Sequence, residues 1–329
     1  MTLLISPKLR SDVKKIMELR NSYAEIATEE FLSKKKSQGI KITEKTLLSD
    51  RSIALEYQRY LSAFTAQKRN VLIPKTTVFE RINTDGVPAE WIITPNAEKK
   101  KVLFHLFGGG YVMGTIETRR WLPFLMARAS KIRALIIGYR LAPEHPFPAA
   151  LEDSITAYRW VLSTGISSQN IVLSGDSAGG ALVVSTLIRL RELNLPLPAG
   201  AVLLSPWTDL ACTGGSLESN AEYEPGITIP VLRAMAKLYY KDKSPKDPLI
   251  SPLYANLEKL PPMLIHVGNI ESLRDDSVRL ADRAKAAGIN VELKIWEDMT
   301  HVFQNYYNDI PESNQSIEYI SIFIQKVLN

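Results

Sequence analysis

The sequence predicts an α/β fold: a mostly parallel eight-stranded sheet with helices on both faces and a helical cap. Three observations carry that prediction. Eight short β-rich runs punctuate the chain from Lys75 onward, most of those from the third onward are separated by helix-length segments, and residues 8–67 read as helices alone. At 329 residues and 36.9 kDa the chain is long enough for one large α/β domain or two smaller ones, with a sizeable buried core.

The helical stretch opens with charge-laced segments around residues 10–36. An amphipathic segment follows from Ser49, in which Ile53, Tyr57, Tyr60, Leu61 and Phe64 recur at three and four residues. Then come the β-rich runs in order. TTVFERI and AEWIIT are close enough for a hairpin; VLFHLF, ALIIGY, IVLSG, AVLLS, MLIHVG and VELKIW are joined by helical crossovers. From Pro206 to about Pro248 the rhythm breaks at Gly214, Gly215, Pro225, Gly226 and Pro230, with a helix-like IPVLRAMAKLYYKD near the end. The expectation is an N-terminal helical cap over residues 1–70 and a larger α/β domain over 71–329, with about 206–248 contributing to the cap as a lid.

Hydrophobic residues at 45% and charged ones at 23% describe an ordinary globular protein. Lys and Arg exceed Asp and Glu by 40 to 35, and the triplets Lys34–Lys36 and Lys99–Lys101 lie among polar residues at apparent element ends. No aromatic or arginine-rich motif accompanies them, so they read as solvated faces and no nucleic-acid partner is expected. The single cysteine, Cys212, excludes an intrachain disulfide and demands no oxidising compartment. The opening MTLLISPKLRSDVKK has too short an apolar stretch for a signal peptide, and no run approaches the ~20 apolar residues of a membrane span. A cytoplasmic protein without membrane insertion is expected, and no internal repeat is present.

The strongest local signal is IVLSGDSAGGALVVSTLIRLREL: a β-run, then Gly175-Asp176-Ser177-Ala178-Gly179, then a helix. A serine on a sharp strand-to-helix turn needs small neighbours at minus two and plus two, where the two backbones approach. That context marks Ser177 as a nucleophile. Serine needs a base to take its proton, and the base needs a carboxylate to orient it. On such a fold the order along the chain is serine, acid, histidine. His105 and His145 precede Ser177, and His266 sits inside MLIHVG, where a packed core imidazole is expected. His301 remains, in the loop EDMTHVF after the last β-run. The acid comes from VGNIESLRDDSVRL: Glu271 is nearest the strand end, whereas Asp275 and Asp276 begin a helical pattern and suit its dipole. Glu271 is favoured, with Asp275 as the alternative.

With these pieces in place the chain resembles the hormone-sensitive-lipase-like branch of the α/β-hydrolases, the bacterial family IV esterases. The motifs are YRLAPEHPFPAALED (139–153), GDSAGG (175–180), LSPWTDL (204–210), DPLISPLYA (247–255) and HVF (301–303), and the resemblance covers about residues 75–310. Within the family it looks similar to the acetyl hydrolase and monoterpene lactone hydrolase group, through GGGYVMG and a glutamate at position 271. The resemblance implies a carboxylesterase for small-molecule esters of short to medium chain, with no metal or cofactor. It also implies a homodimer paired through the edge strand, and loop-holding roles for Glu144 and Asp153. Lactonase, deacetylase, peptidase or amidase activity would use the same triad, since fold does not fix substrate. A non-catalytic binder like the plant gibberellin receptors would lack the histidine that is present here.

The family's oxyanion loop begins His-Gly-Gly-Gly; this one begins Phe107-Gly108-Gly109-Gly110. By resemblance the donors are the N–H groups of Gly109, Gly110 and Ala178, and glycine is expected where a Cβ would block approach to the substrate. Phe107 can pack but cannot make the bracing hydrogen bond, and His105 is one strand repeat away, about 6.5–7 Å. An intact donor set on a looser, differently supported loop is the expectation.

Overall fold

Runs rich in Val, Ile and Leu pack into a sheet only if both faces are covered. All eight β-rich runs form strands: β1 (Val78–Thr84), β2 (Val87–Ile93), β3 (Glu98–Leu106), β4 (Ile132–Ile137), β5 (Ile171–Asp176), β6 (Gly200–Leu204), β7 (Met263–Gly268) and β8 (Val291–Trp296), with the central ones covered and β1 exposed at the edge. The computed structural model describes residues 5–329, apart from the side chains of Leu48, Ser49 and Arg51. Met1–Leu4, which open the stretch read against a signal peptide, lie outside the described residues.

The strands form one sheet in the order β1-β2-β4-β3-β5-β6-β7-β8. β2 runs antiparallel to β1 and β4, and every other neighbouring pair is parallel. The β1–β2 hairpin closes on Asp85 and Gly86, both at positive φ (54° and 99°), as a tight two-residue turn requires. β3 starts at Glu98, ahead of the apolar run that begins at Val102, so Lys99–Lys101 belong to a strand rather than to an element boundary. Lys99 and Lys100 are exposed there, and Val102 to Leu106 are buried.

Ten helices complete the described chain: α1 (Ser11–Ser37), α2 (Glu44–Ser49), α3 (Arg51–Asn70), α4 (Trp121–Ser130), α5 (Ala149–Ser163), α6 (Ala178–Glu192), α7 (Ser216–Ser219), α8 (Ile229–Tyr240), α9 (Arg274–Ala286) and α10 (Pro311–Val327). β5, β6 and β7 are buried along their whole length, which requires cover on both faces. α4 packs beside α10, and α5 beside α6.

Two smaller clusters stand outside the main core. In one, Phe31 and Leu47 meet Tyr57, with Ile53, Tyr60 and Leu61 packed around them, so the amphipathic stripe of α3 faces α1 and α2. In the other, Leu9, Val13 and Met17 pack on Trp296, Met299, Phe303, Tyr306 and Ile310, on either side of His301. Tyr223, from the 206–248 insertion, joins this second cluster. The N-terminal helices and the insertion therefore meet at the carboxyl ends of the strands.

Candidate active site

Ser177 sits between β5 and α6 at φ 52° and ψ −124°, a backbone conformation costly for any residue with a Cβ. The crowding that holds it there explains the flanking glycines. A Cβ on Gly175 would meet the carbonyl of Gly179, and one on Gly179 would run into the carbonyls of Leu106 and Phe107. The turn is anchored by Ser177 N–H donating to the Leu204 carbonyl at 2.8 Å and Trp207 N–H donating to the Ser177 carbonyl at 3.0 Å.

The predicted acid and base come together across the strand ends. His301 Nδ1 lies 3.6 Å from Glu271 Oε1. Glu271 is fully buried, and its Oε2 accepts from Ser205 Oγ at 2.7 Å and from Gly268 N–H at 3.1 Å. Ser205 Oγ also accepts from Val302 N–H at 3.1 Å, so one hydroxyl ties the acid to the histidine loop. Burial works against the imidazolium of His301, but Glu271, Glu224 and Asp176 outweigh it and hold the pKa above the ordinary histidine value. Asp275 and Asp276 stay apart. Asp275 accepts from Ser216 N–H at 2.9 Å and pairs with Arg274 at 3.0 Å. Asp276 accepts from Thr208 and Asp209 N–H, each at 2.8 Å, and pairs with Arg279. His266 is a buried core imidazole bonded to Ser316 Oγ at 2.8 Å, with burial pushing its pKa down to about 3.

The glycine loop is braced from behind, and its support differs from the sequence expectation. The Phe107 ring is buried and stacked on Tyr139, centroids 4.4 Å apart, and Tyr139 Oη donates to the Phe107 carbonyl at 2.5 Å. His105 contributes through an intermediary: its Nε2 is 3.5 Å from Asp176 Oδ1, which accepts from Gly108 N–H at 3.0 Å. Both devices brace the loop from behind, so the looser loop expected from Phe107 is replaced by a doubly held one. The glycines answer to the protein itself before any substrate. A Cβ on Gly109, at φ 136°, would fall on the Met113 carbonyl, and one on Gly110, at φ 62°, would meet Met235 of α8. α8 also stacks Tyr239 on Tyr111 of the loop, centroids 3.7 Å apart. Among the described residues the N–H groups of Gly109, Gly110 and Ala178 donate to no other protein group. Ala178 is also the first residue of α6, where the helix dipole favours negative charge.

A sequence profile of the alpha/beta hydrolase fold matches residues 102–305. An esterase of the bacterial hormone-sensitive lipase family superposes with a TM-score of 0.81 at 40% identity, over 92% of this chain and 98% of that one. The chain belongs to that hormone-sensitive-lipase-like family of alpha/beta hydrolases. An esterase/lipase from an uncultured bacterium is also similar to this hydrolase, at 39% identity and a TM-score of 0.80, over 91% of this chain and 98% of the other. A curated acetyl-hydrolase from Streptomyces hygroscopicus is 40% identical over 237 residues, which is 72% of this chain and 79% of that protein.

The hydrolase also places a carboxylate at the site that the sequence reading missed. Glu224, from the insertion, is buried and accepts from the N–H groups of Ser272, at 2.8 Å, and His301. Burial, with Glu271 adding to it, pushes its carboxyl up to about 7. Nearby, Asn220 Nδ2 donates to the carbonyls of Asn269 and Glu271, both at 3.0 Å. No motif announced either residue, because their partners lie about 50 to 80 positions away along the chain. Glu144 and Asp153 hold loops as expected. Arg59 of α3 chelates Glu144 at 2.7 and 2.8 Å and donates to the carbonyls of Val112 and Ala142, while Asp153 accepts from Arg140 N–H and its guanidinium. Among the described residues no helix is long and apolar enough to cross a membrane.

Proposed function

We propose that this carboxylesterase cleaves small esters of short to medium acyl chain, with Ser177 as nucleophile, His301 as general base and acid, and Glu271 as the orienting carboxylate. The observation that carries the reading is a serine on a strained strand-to-helix turn beside the glycine loop, with unengaged N–H groups at Gly109, Gly110 and Ala178. Ser177 Oγ attacks the ester carbonyl carbon while its proton passes to His301. The carbonyl oxygen gains the charge and is held by the three N–H groups; losing one such donor typically costs about 2.7–4 kcal/mol. Collapse expels the alcohol, which takes the proton from His301 and leaves an acyl-serine. Water, deprotonated by His301, then hydrolyses that ester and regenerates Ser177. The 3.6 Å separation of His301 and Glu271 shortens as the imidazolium forms, since catalytic hydrogen bonds often tighten only in the complex.

In this reading residues 1–70, with the 206–248 insertion, act as the cap. The shared cluster of Leu9, Val13, Met17 and Tyr223 around the His301 loop supports that division. A homodimer joined along β8 fits the exposure of Ile295 on that edge strand and Ile322 on α10. The single cysteine suits a cytoplasmic setting. The acetyl-hydrolase name of the Streptomyces relative agrees with a short acyl group. The test is hydrolysis of p-nitrophenyl acetate and butyrate together with labelling by a fluorophosphonate. Both are expected in the wild type and absent in Ser177→Ala; labelling that survives in Ser177→Ala sinks the assignment.

A further inference from the structure

Three guanidinium groups converge under the N-terminal helices without a carboxylate to neutralise them. Arg20, on α1, donates from Nη1 to Tyr306 Oη at 3.0 Å. Arg69, at the end of α3, lies over the ring of the same tyrosine, 5.5 Å from its centre. Arg119, in the turn before α4, donates to Ser62 Oγ at 3.1 Å, while its Nε is buried with no acceptor. Among the described residues none of the three makes an ion pair, although twelve other lysines and arginines do. The carboxylates whose fields reach them are occupied or turned to solvent. Glu224, facing Arg20, holds the His301 and Ser272 N–H groups; Asp176, facing Arg119, holds Gly108 N–H; Asp309, facing Arg69, is exposed.

Arg69 and Arg119 wall a crevice that also includes Trp121, Leu122 and Asp176, the residue before the nucleophile. Its free room, about 20 Å³, exceeds the roughly 10–15 Å³ that one water needs and suits a carboxylate oxygen rather than an acyl chain. Like charges held close together raise one another's free energy, most where they leave bulk water; Arg69 and Arg119 are half-buried, and Arg20 is exposed. Burial, with Arg20 and Arg119 adding to it, holds Arg69 below the ordinary arginine value despite Tyr306 and Asp309. An arriving carboxylate relieves that repulsion and gains charge-assisted, bidentate hydrogen bonds from planar guanidiniums.

We propose that the Arg20–Arg69–Arg119 cluster binds a free carboxylate on the substrate, so that the enzyme prefers half-esters of short dicarboxylic acids over neutral esters. The proposal rests on ester hydrolysis at Ser177 and adds which esters are taken. Arg20 and Arg69 come from the N-terminal helices and Arg119 from the sheet-bearing part, so the anion bridges the two and favours their closed arrangement over the site.

The test compares monoethyl succinate with its neutral isostere, ethyl levulinate. Calorimetry on Ser177→Ala reads binding without turnover, and a pH-stat on the wild type reads kcat/KM. At low salt the half-ester is expected to bind, and to turn over, at least about tenfold better, with the advantage shrinking at about 0.5 M salt. Arg69→Met is expected to abolish the preference and Arg69→Lys to keep part of it, which separates charge from packing. Equal binding of the two esters to Ser177→Ala, or a preference that survives Arg69→Met, overturns the proposal. Failure of the wild type to hydrolyse ethyl levulinate and p-nitrophenyl butyrate counts instead against the esterase reading, and the binding arm still decides the anion site.

Discussion

Phe107 is the residue at which this chain departs from the family's loop, and its surroundings show how a side-chain hydrogen bond can be replaced. The ring stacks on Tyr139, and the phenol of Tyr139 takes up the backbone carbonyl. Phe107→His is therefore expected to bring no gain: hydrolysis of p-nitrophenyl butyrate stays at or below the wild-type rate, because the loop is already held. Tyr139→Phe keeps the stack but leaves a buried carbonyl without its donor, a loss of about 1–3 kcal/mol. Urea unfolding should report that drop, and kcat should fall with little change in KM. A wild-type kcat in Tyr139→Phe, or recovery of an inactive wild type by Phe107→His, would show that the loop is supported otherwise. Residue type, spacing and chain order singled out Ser177, Glu271 and His301 in the sequence, and the fold brings His301 and Glu271 to 3.6 Å of each other. Tyr139 and Asp176 escaped because their roles arise only when β3, β4 and β5 pair side by side.

Element boundaries follow the same division. The central runs became strands buried on both faces, while β1 stays exposed at the sheet's edge, and the insertion was visible from its glycines and prolines. What the insertion does was not visible. Its segment from Asn220 to Glu224 reaches the carbonyls of Asn269 and Glu271 and the N–H groups of Ser272 and His301, so one short stretch sets the Glu271 and His301 loops relative to each other. Glu224 has a carboxyl at about 7 in the fold against an ordinary 4.5, so the fold favours its protonated form. Its contribution to stability is complete below 4.5 and is lost as pH rises to about 7 and beyond. Glu224→Gln mimics the protonated form at every pH. The unfolding free energy of the wild type should therefore fall relative to Glu224→Gln between pH 4.5 and 8, by about 1–3 kcal/mol. A difference that stays flat across that range would show that Glu224 does not titrate there.

At the scale of the whole molecule, every proposed catalytic residue lies beyond residue 71, which invites the view that the N-terminal helices merely cover a finished enzyme. The packing argues otherwise. Leu9, Val13 and Met17 are buried against Trp296, Met299, Phe303, Tyr306 and Ile310, the residues that frame His301, and Arg59 of α3 holds the carbonyls of the glycine-loop segment. Each such buried apolar side chain contributes about 1.5–3 kcal/mol, so losing three is comparable with the net stability of a domain, about 5–15 kcal/mol. A chain beginning at residue 71 would expose one face of the loop that carries His301. It is expected to aggregate or, if soluble, to bind a hydrophobic dye and hydrolyse p-nitrophenyl butyrate at least about a hundredfold more slowly, since small misplacements of catalytic groups cost that much. Loss confined to KM, with kcat intact, would mean that the helices only shape the pocket. Loss of kcat means that they hold the histidine loop in its working position, which makes the N-terminal helices part of the catalytic framework even though they contribute none of its reacting groups.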